Sequence, residues 1–95
     1  MPAVVRLGDI CTGHGCFGPR PNDEASPNVN VNGIGVHRVG DHWVTHCCGP
    51  VCHDSNMESG SSTVFVNGKA AARIGDMLAC GSAAAEGSPN VFFGG

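Results

Sequence analysis

The strongest constraint on this chain is a pair of short motifs, each written three times. The first is Val4-Val5-Arg6-Leu7-Gly8-Asp9, Val36-His37-Arg38-Val39-Gly40-Asp41 and Ala71-Ala72-Arg73-Ile74-Gly75-Asp76, with Arg, an aliphatic residue, Gly and Asp in common. The second is Ser26-Pro27-Asn28-Val29-Asn30-Val31-Asn32-Gly33, Ser61-Ser62-Thr63-Val64-Phe65-Val66-Asn67-Gly68 and Ser88-Pro89-Asn90-Val91-Phe92-Phe93-Gly94-Gly95. Gly33 precedes Asp41 by eight residues and Gly68 precedes Asp76 by eight, so the two motifs belong to one unit of fixed phase. A repeat of this kind marks a chain built from equivalent supersecondary units.

Each unit reads as a β-hairpin. Val29/Val31 and Val64/Val66 alternate as a half-buried strand does. Asn32-Gly33 and Asn67-Gly68 are strong two-residue turns, because both central positions need positive φ. The returning strand runs to Gly-Asp, where Gly takes an unusual backbone angle and Asp closes the turn. Each Arg stands three residues before its Asp and reads as an ion pair or backbone clamp on that exit turn. The chain opens on the second strand of a unit and ends on the first strand of one. Two hairpins are complete, and bringing Met1 and Gly95 together completes a third. The expected fold is therefore all-β, three pseudo-threefold hairpin repeats forming one domain over residues 1–95.

Composition narrows the function. With 15 Gly and 6 Pro in 95 residues, turns interrupt the chain everywhere and long helices are excluded. A net charge of −3 with five basic residues argues against a nucleic-acid surface, which needs clustered Lys and Arg. The apolar runs are too short for stable membrane insertion, and Met1-Pro2-Ala3-Val4-Val5-Arg6 has no secretory signal pattern. So small a chain buries little core and needs staples. Six Cys and five His supply candidates, and without a signal region metal is the stronger reading and disulfides the weaker.

Every Cys and His except His37 falls between repeat motifs, in loops 10–25, 42–60 and 77–87. Threefold packing gathers these loops at one end, where imidazole and thiolate can share one tetrahedral ion, with zinc the default. Counted from the preceding Asp, His14 and His46 are both at plus five and Cys80 is at plus four; His53 is the fourth candidate. His42, Cys47, Cys48 and Cys52 remain rivals for the shell. Cys11, Cys16, Cys47 and Cys48 also read as small buried hydrophobes, Trp43 as a cap on the loop cluster, and Phe65, Phe92 and Phe93 as core or interface.

The three Arg-aliphatic-Gly-Asp motifs, with Ala70-Ala71-Ala72-Arg73 nearly spelling Pro-Ala-Ala-Arg and with the interleaved Ser-Pro-Asn-Val and Val-Asn-Gly segments, resemble the PAAR-repeat family over nearly the whole chain. The first two copies, Val4-Val5-Arg6 and Val36-His37-Arg38, lack Ala-Ala. The resemblance implies a short β cone that caps a trimeric β-helical spike, in type VI secretion systems (on VgrG proteins) or contractile phage tails, and sharpens it for membrane piercing. It implies a structural Zn2+ near the point, held by position by His14, His46, His53 and Cys80. It implies one copy per spike trimer, no catalysis, and delivery out of the cytoplasm on the spike, or a place in a virion tail; a separate effector fits as a further partner. Three other classes compete. A zinc hydrolase or deaminase needs an open metal position and a nearby base, and no His-Glu-x-x-His motif is present. A thiol redox or metal-buffering protein lacks its usual Cys-x-x-Cys. A disulfide-stapled secreted domain is the third.

Overall fold

The computed structural model describes residues 1–95 and contains no helix, so none is long and apolar enough to cross a membrane. Six strands pair as three separate antiparallel hairpins: β1 (Asn30–Val31) with β2 (Ile34–Gly35), β3 (His42–Cys48) with β4 (Val51–Asn56), and β5 (Phe65–Val66) with β6 (Lys69–Ala70). The β1–β2 and β5–β6 turns are the two expected from the sequence. Asn32 and Asn67 adopt φ of 56° and 54°, and Gly33 and Gly68 follow at 75° and 78°. The third repeat unit closes across the termini. Ala3 pairs with Phe92, the Val4 amide donates to the Val91 carbonyl (3.1 Å), and the Phe93 amide donates to Pro2 (3.1 Å).

The pseudo-threefold axis is written in the backbone. The residues before the three repeat arginines bond in a closed triangle: Val5 N–H to the Ala72 carbonyl, Ala72 N–H to His37, and His37 N–H to Val5, at 3.0, 2.9 and 3.0 Å. One step outward, Leu7 donates to Gly35, Val39 to Ala70 and Ile74 to Ala3, at 2.9, 2.8 and 2.9 Å. Each unit hands its strand edge to the next, and the third hands back to the first, so the innermost edges are all paired.

The Arg–Asp clamps form as expected. In each copy the arginine amide and Nε both donate to one carboxylate oxygen of the aspartate and Nη2 to the other, over 2.8–3.2 Å. The same arginines reach the neighbouring turn. Arg38 Nη1 donates to Asn67 Oδ1 (3.0 Å), and Arg73 Nη1 to the Gly94 carbonyl (3.1 Å). Ser26, Ser61 and Ser88 donate to Asn67, to Gly94 and to Asn32, each at 2.6 Å, stitching the three turns into a ring.

The glycine before Val36-His37 in the second copy, where the third has Ala70, has a steric reason. A Cβ on Gly60 would lie 2.7 Å from the Ala71 carbonyl and 3.2 Å from the Ala70 side chain, so this contact has room for one methyl. In the preceding unit Ala25 takes the place of Gly60, and Gly35 takes the place of Ala70; a Cβ on Gly35 would lie 3.2 Å from that of Ala25. The methyl has changed sides, and the close approach is conserved in space.

Two apolar clusters fill the interior. Val4, Val31, Val36, Val66 and Ala71, with Val64, Val91 and Phe93 against them, pack among the hairpins. Val5, Cys11, Trp43, Met57, Ala72, Leu78 and Ala84 pack below the His/Cys loops. Trp43 lies beneath the His/Cys segments. It is fully buried in the second cluster, edge-on to His37 with ring centroids 5.1 Å apart. Segment 42–60 is not a loop: most of it is the longest hairpin, β3–β4. A register shift between Trp43 and His46 breaks its alternation, so both of these residues are buried although three apart.

Candidate metal centre

Two turns and the β3–β4 hairpin deliver the four candidate ligands. His14 opens a tight reverse turn closed by mutual backbone bonds with Phe17 (both 2.9 Å), with Gly15 at φ 55°. His46 and His53 face each other directly across β3 and β4. Cys80 sits in a turn closed by the bond from the Leu78 amide to Ser82 (2.9 Å). The ligating atoms of His14, His46, His53 and Cys80 all lie within 4.8 Å of one another. Nε2 of His53 is 3.0 Å from Nε2 of His14 and 2.7 Å from Nε2 of His46.

These donors fit a soft or borderline cation. Nδ1 of His46 is 2.8 Å from the Gly18 carbonyl, which can only accept, so that nitrogen carries the proton and Nε2 of the neutral ring is a bare lone pair facing His53. Lone pairs that converge at such distances call for a proton or a cation between them. A partner fixing the remote nitrogen is the usual device for aiming a ligating histidine. The Phe17 ring lies against all three imidazoles, with centroids 4.8 Å from His14, 5.0 Å from His46 and 4.3 Å from His53, and shields them on one side.

The sulfur is prepared as well. Burial pushes the Cys80 thiol up, but hydrogen bonds from the Ser82 backbone, Ser55, Arg20 and the Ser82 hydroxyl outweigh it and bring it down to about 5. A thiolate is the form that binds metal. Arg20 is itself buried; its Nε donates to the Val44 carbonyl (2.6 Å), and its guanidinium lies 5.8 Å from the Trp43 ring centre.

None of the rivals joins this group. His42 lies off to the side, bridging Asp23 Oδ1 (2.6 Å) and Asp54 Oδ2 (2.8 Å). Cys47, Cys48 and Cys52 are in disulfides, Cys16–Cys48 and Cys47–Cys52. Disulfides thus stand beside the metal-capable group, and the expectation that Cys16, Cys47 and Cys48 are buried hydrophobes is corrected. Cys16 and Cys47 are exposed, and only Cys11 is fully buried. Phe17 and Arg20 escaped sequence analysis. Their only signal was proximity to His14 and Cys16 in a loop already marked as chemical. On one side His53 and Cys80 border an open groove of about 450 Å³, also lined by Asp54, Ser55, Asn56 and Ala79.

A sequence profile described as the PAAR motif matches residues 22–85. The chain belongs to the PAAR-motif family. The matched region holds His46, His53 and Cys80, while His14 precedes it. Two curated toxins of Pseudomonas aeruginosa resemble the PAAR chain: the NAD(P)(+) glycohydrolase toxin Tse6 and, from a second strain, the (p)ppApp synthetase toxin Tas1. Each is 39% identical over 74 residues, covering 72% of this chain and 17% of the toxin. The PAAR chain thus spans about a sixth of the length of these relatives.

Proposed function

We propose that residues 1–95 form one PAAR-repeat domain that caps a trimeric β-helical spike, VgrG-like or of a contractile phage tail, and sharpens it for membrane piercing. In this reading His14, His46, His53 and Cys80 hold a structural Zn2+ that ties two turns and the β3–β4 hairpin into a rigid point. The observation that carries the reading is the closed triangle of backbone bonds among Val5, Ala72 and His37 in a chain with the PAAR motif. A monomer with three near-equivalent edges can meet a true threefold trimer one to one. Asn30, Phe65 and Phe92, exposed at equivalent places in the three repeat units, offer strand edges and apolar contact for that union. Bound there, zinc would neutralise the Cys80 thiolate and draw the four side chains together, and a structural zinc contributes on the order of 10 kcal/mol to folding.

The role is mechanical, with no bond made or broken. Four protein donors leave no open position for a substrate. The one carboxylate of the neighbouring groove, Asp54, is engaged by His42. The chemistry in the names of the two toxins belongs to those proteins; a separate effector remains a partner to be sought. Delivery would follow the spike out of the cell.

Native mass spectrometry of the chain co-expressed with a trimeric spike from the same genome tests this. One chain per trimer carrying one zinc is the expected species. A chain that holds metal but never joins the trimer would overturn the tip role. In parallel, Cys80→Ala should lower zinc content and melting temperature together; unchanged zinc content would remove Cys80 from the shell.

A further inference from the structure

The two disulfides are arranged around the three histidines in a way that neither the repeat nor the spike-tip role requires. Cys16 lies two residues after His14, in the same reverse turn. It bonds Cys48, two residues after His46 at the end of β3, across a sequence separation of 32. Cys47 directly follows His46 and Cys52 directly precedes His53. Since His46↔His53 and Cys47↔Cys52 are neighbouring cross-strand pairs, this disulfide is the next rung beyond the histidine pair. The Cα atoms of the two pairs are 5.4 and 4.1 Å apart, inside the distance beyond which bridging needs backbone movement. Cys16, Cys47 and Cys52 are exposed and Cys48 half-buried, so a disulfide donor can reach them.

We propose that oxidation of these four cysteines is a lock on the metal centre: the oxidised point holds its ion more firmly than the reduced point. This rests on the metal reading above. Two effects act together. Cys16–Cys48 joins the His14 turn to the strand that bears His46, a junction otherwise held by single hydrogen bonds such as His46 to Gly18 (2.8 Å), Arg20 to Val44 (2.6 Å) and Val44 to Pro21 (3.1 Å). Closing it restricts the excursions in which His14 leaves the ion. Oxidation also removes four thiols adjacent to the histidines that compete for a soft cation when reduced. Cys80 is left as the only free sulfur beside the imidazoles, the other free thiol, Cys11, being buried against Arg20 (3.1 Å).

The chemistry is thiol–disulfide exchange with a small disulfide such as oxidised glutathione. One protein thiolate attacks a glutathione sulfur and expels a glutathione thiolate. The paired cysteine then attacks the mixed disulfide and expels the second. Each pair of cysteine thiols passes two electrons to the glutathione sulfurs and becomes a cystine, and its two protons go to the two departing thiolates. Reducing compartments keep such thiols open and oxidising ones close them. A chain assembled in the first and thrust into the second would lock its point during use.

The test uses the whole zinc-loaded chain, prepared with a phosphine reductant and then split. One half is treated with oxidised glutathione until its mass has fallen by four hydrogens. Zinc release to a chromophoric chelator is followed for both halves. Release from the oxidised chain should be slower by on the order of tenfold, the scale on which supporting contacts act at metal sites. Most of that difference should vanish in the C16S/C48S double variant and a smaller part in C47S/C52S, while the reduced variants, each lacking two competing thiols, release zinc no faster than the reduced wild type. Equal release from oxidised and reduced wild type, or four thiols still open to alkylation after oxidation, would overturn the lock. A chain that takes up no zinc in either state would instead overturn the metal reading on which the lock rests.

Discussion

Arg20 holds its Nη2 3.5 Å from the sulfur of Cys80, and through Nη1, 3.1 Å from Cys11, it joins two sulfurs that enter the point from different loops. A buried guanidinium normally requires a carboxylate. Here sulfur, the Val44 carbonyl and the Trp43 face do that work. For Cys11, burial pushes the thiol up, yet the hydrogen bonds from Arg20 and the Gly13 backbone, together with the Arg20 charge, outweigh it and the net direction is down. Arg20→Met keeps the aliphatic stem and deletes the charge. It should cost about 2 kcal/mol, the usual scale for losing hydrogen bonds to a charged group, and raise the Cys80 thiol of the metal-free chain from about 5 toward ordinary values. Iodoacetamide reactivity against pH reads the second effect. Arg20→Lys should restore little, because an ammonium cannot span both sulfurs and the Val44 carbonyl. Cys80 titrating in Arg20→Met as in the wild type would show that the serines act alone.

The three Arg–Asp clamps are alike in bonding and unlike in burial, which ranks them. Arg38–Asp41 is the most enclosed, with side-chain exposures of 8% and 0%, against 15% and 7% for Arg6–Asp9 and 12% and 14% for Arg73–Asp76. Removing one partner of a buried pair leaves an uncompensated charge and costs about 3–5 kcal/mol, and less where water reaches the survivor. Asp41→Ala should therefore destabilise more than Asp9→Ala or Asp76→Ala in denaturant titrations. Equal losses would mean that the Asp–amide bond to the turn, common to all three, sets the energy and the ion pair adds little.

Repeat phase made the hairpins, the closure through the termini and the clamps legible in the sequence, because each depends on local turn chemistry that recurs at fixed spacing. Three of the four proposed ligands, His14, His46 and Cys80, were reached the same way, by counting from Asp9, Asp41 and Asp76, whereas His53 had only its place in the longest inter-repeat segment to mark it. Other features depend on proximity that no spacing encodes. Cys16 and Cys48 meet only because the His14 turn packs against β3, and Arg20 is explained only by sulfurs from two other parts of the chain. The β3–β4 hairpin was hidden by its own bulge, which interrupts the two-residue period between Trp43 and His46.

Gly40 isolates the backbone cost of an exit turn. Its φ is 91°, and a Cβ built there would meet no atom within 4 Å. Steric collision with the rest of the molecule is thus absent, and any loss comes from forcing a side chain into a positive-φ conformation. Gly40→Ala should cost about 1–2 kcal/mol, and Gly40→Val more, because a branched Cβ tolerates this region worst. Chemical denaturation of both variants provides the measurement. A valine variant as stable as the wild type would mean that the turn relaxes to negative φ at no cost.

His42 gives the point a pH dependence of defined sign. Its ring bridges Asp54 and Asp23, and hydrogen bonds to these two carboxylates raise it above the ordinary histidine value, while Asp54 is held below its own by His42. A histidine raised in the folded state contributes stability fully present below its unfolded value near 6.5 and lost as pH rises through the folded one. His37 acts oppositely. Burial lowers it, so the stability of its neutral form is present above 6.5 and is lost as pH falls through the folded value. His42→Asn should therefore melt lower than the wild type at pH 6 and converge with it at pH 9. The gap should be small and should shrink with added salt, because the bridge is exposed. Melting temperatures across that range, with the His42 imidazole followed by NMR, test the assignment. A deficit in His42→Asn that persists undiminished to pH 9 would show that the ring acts by packing and not by charge.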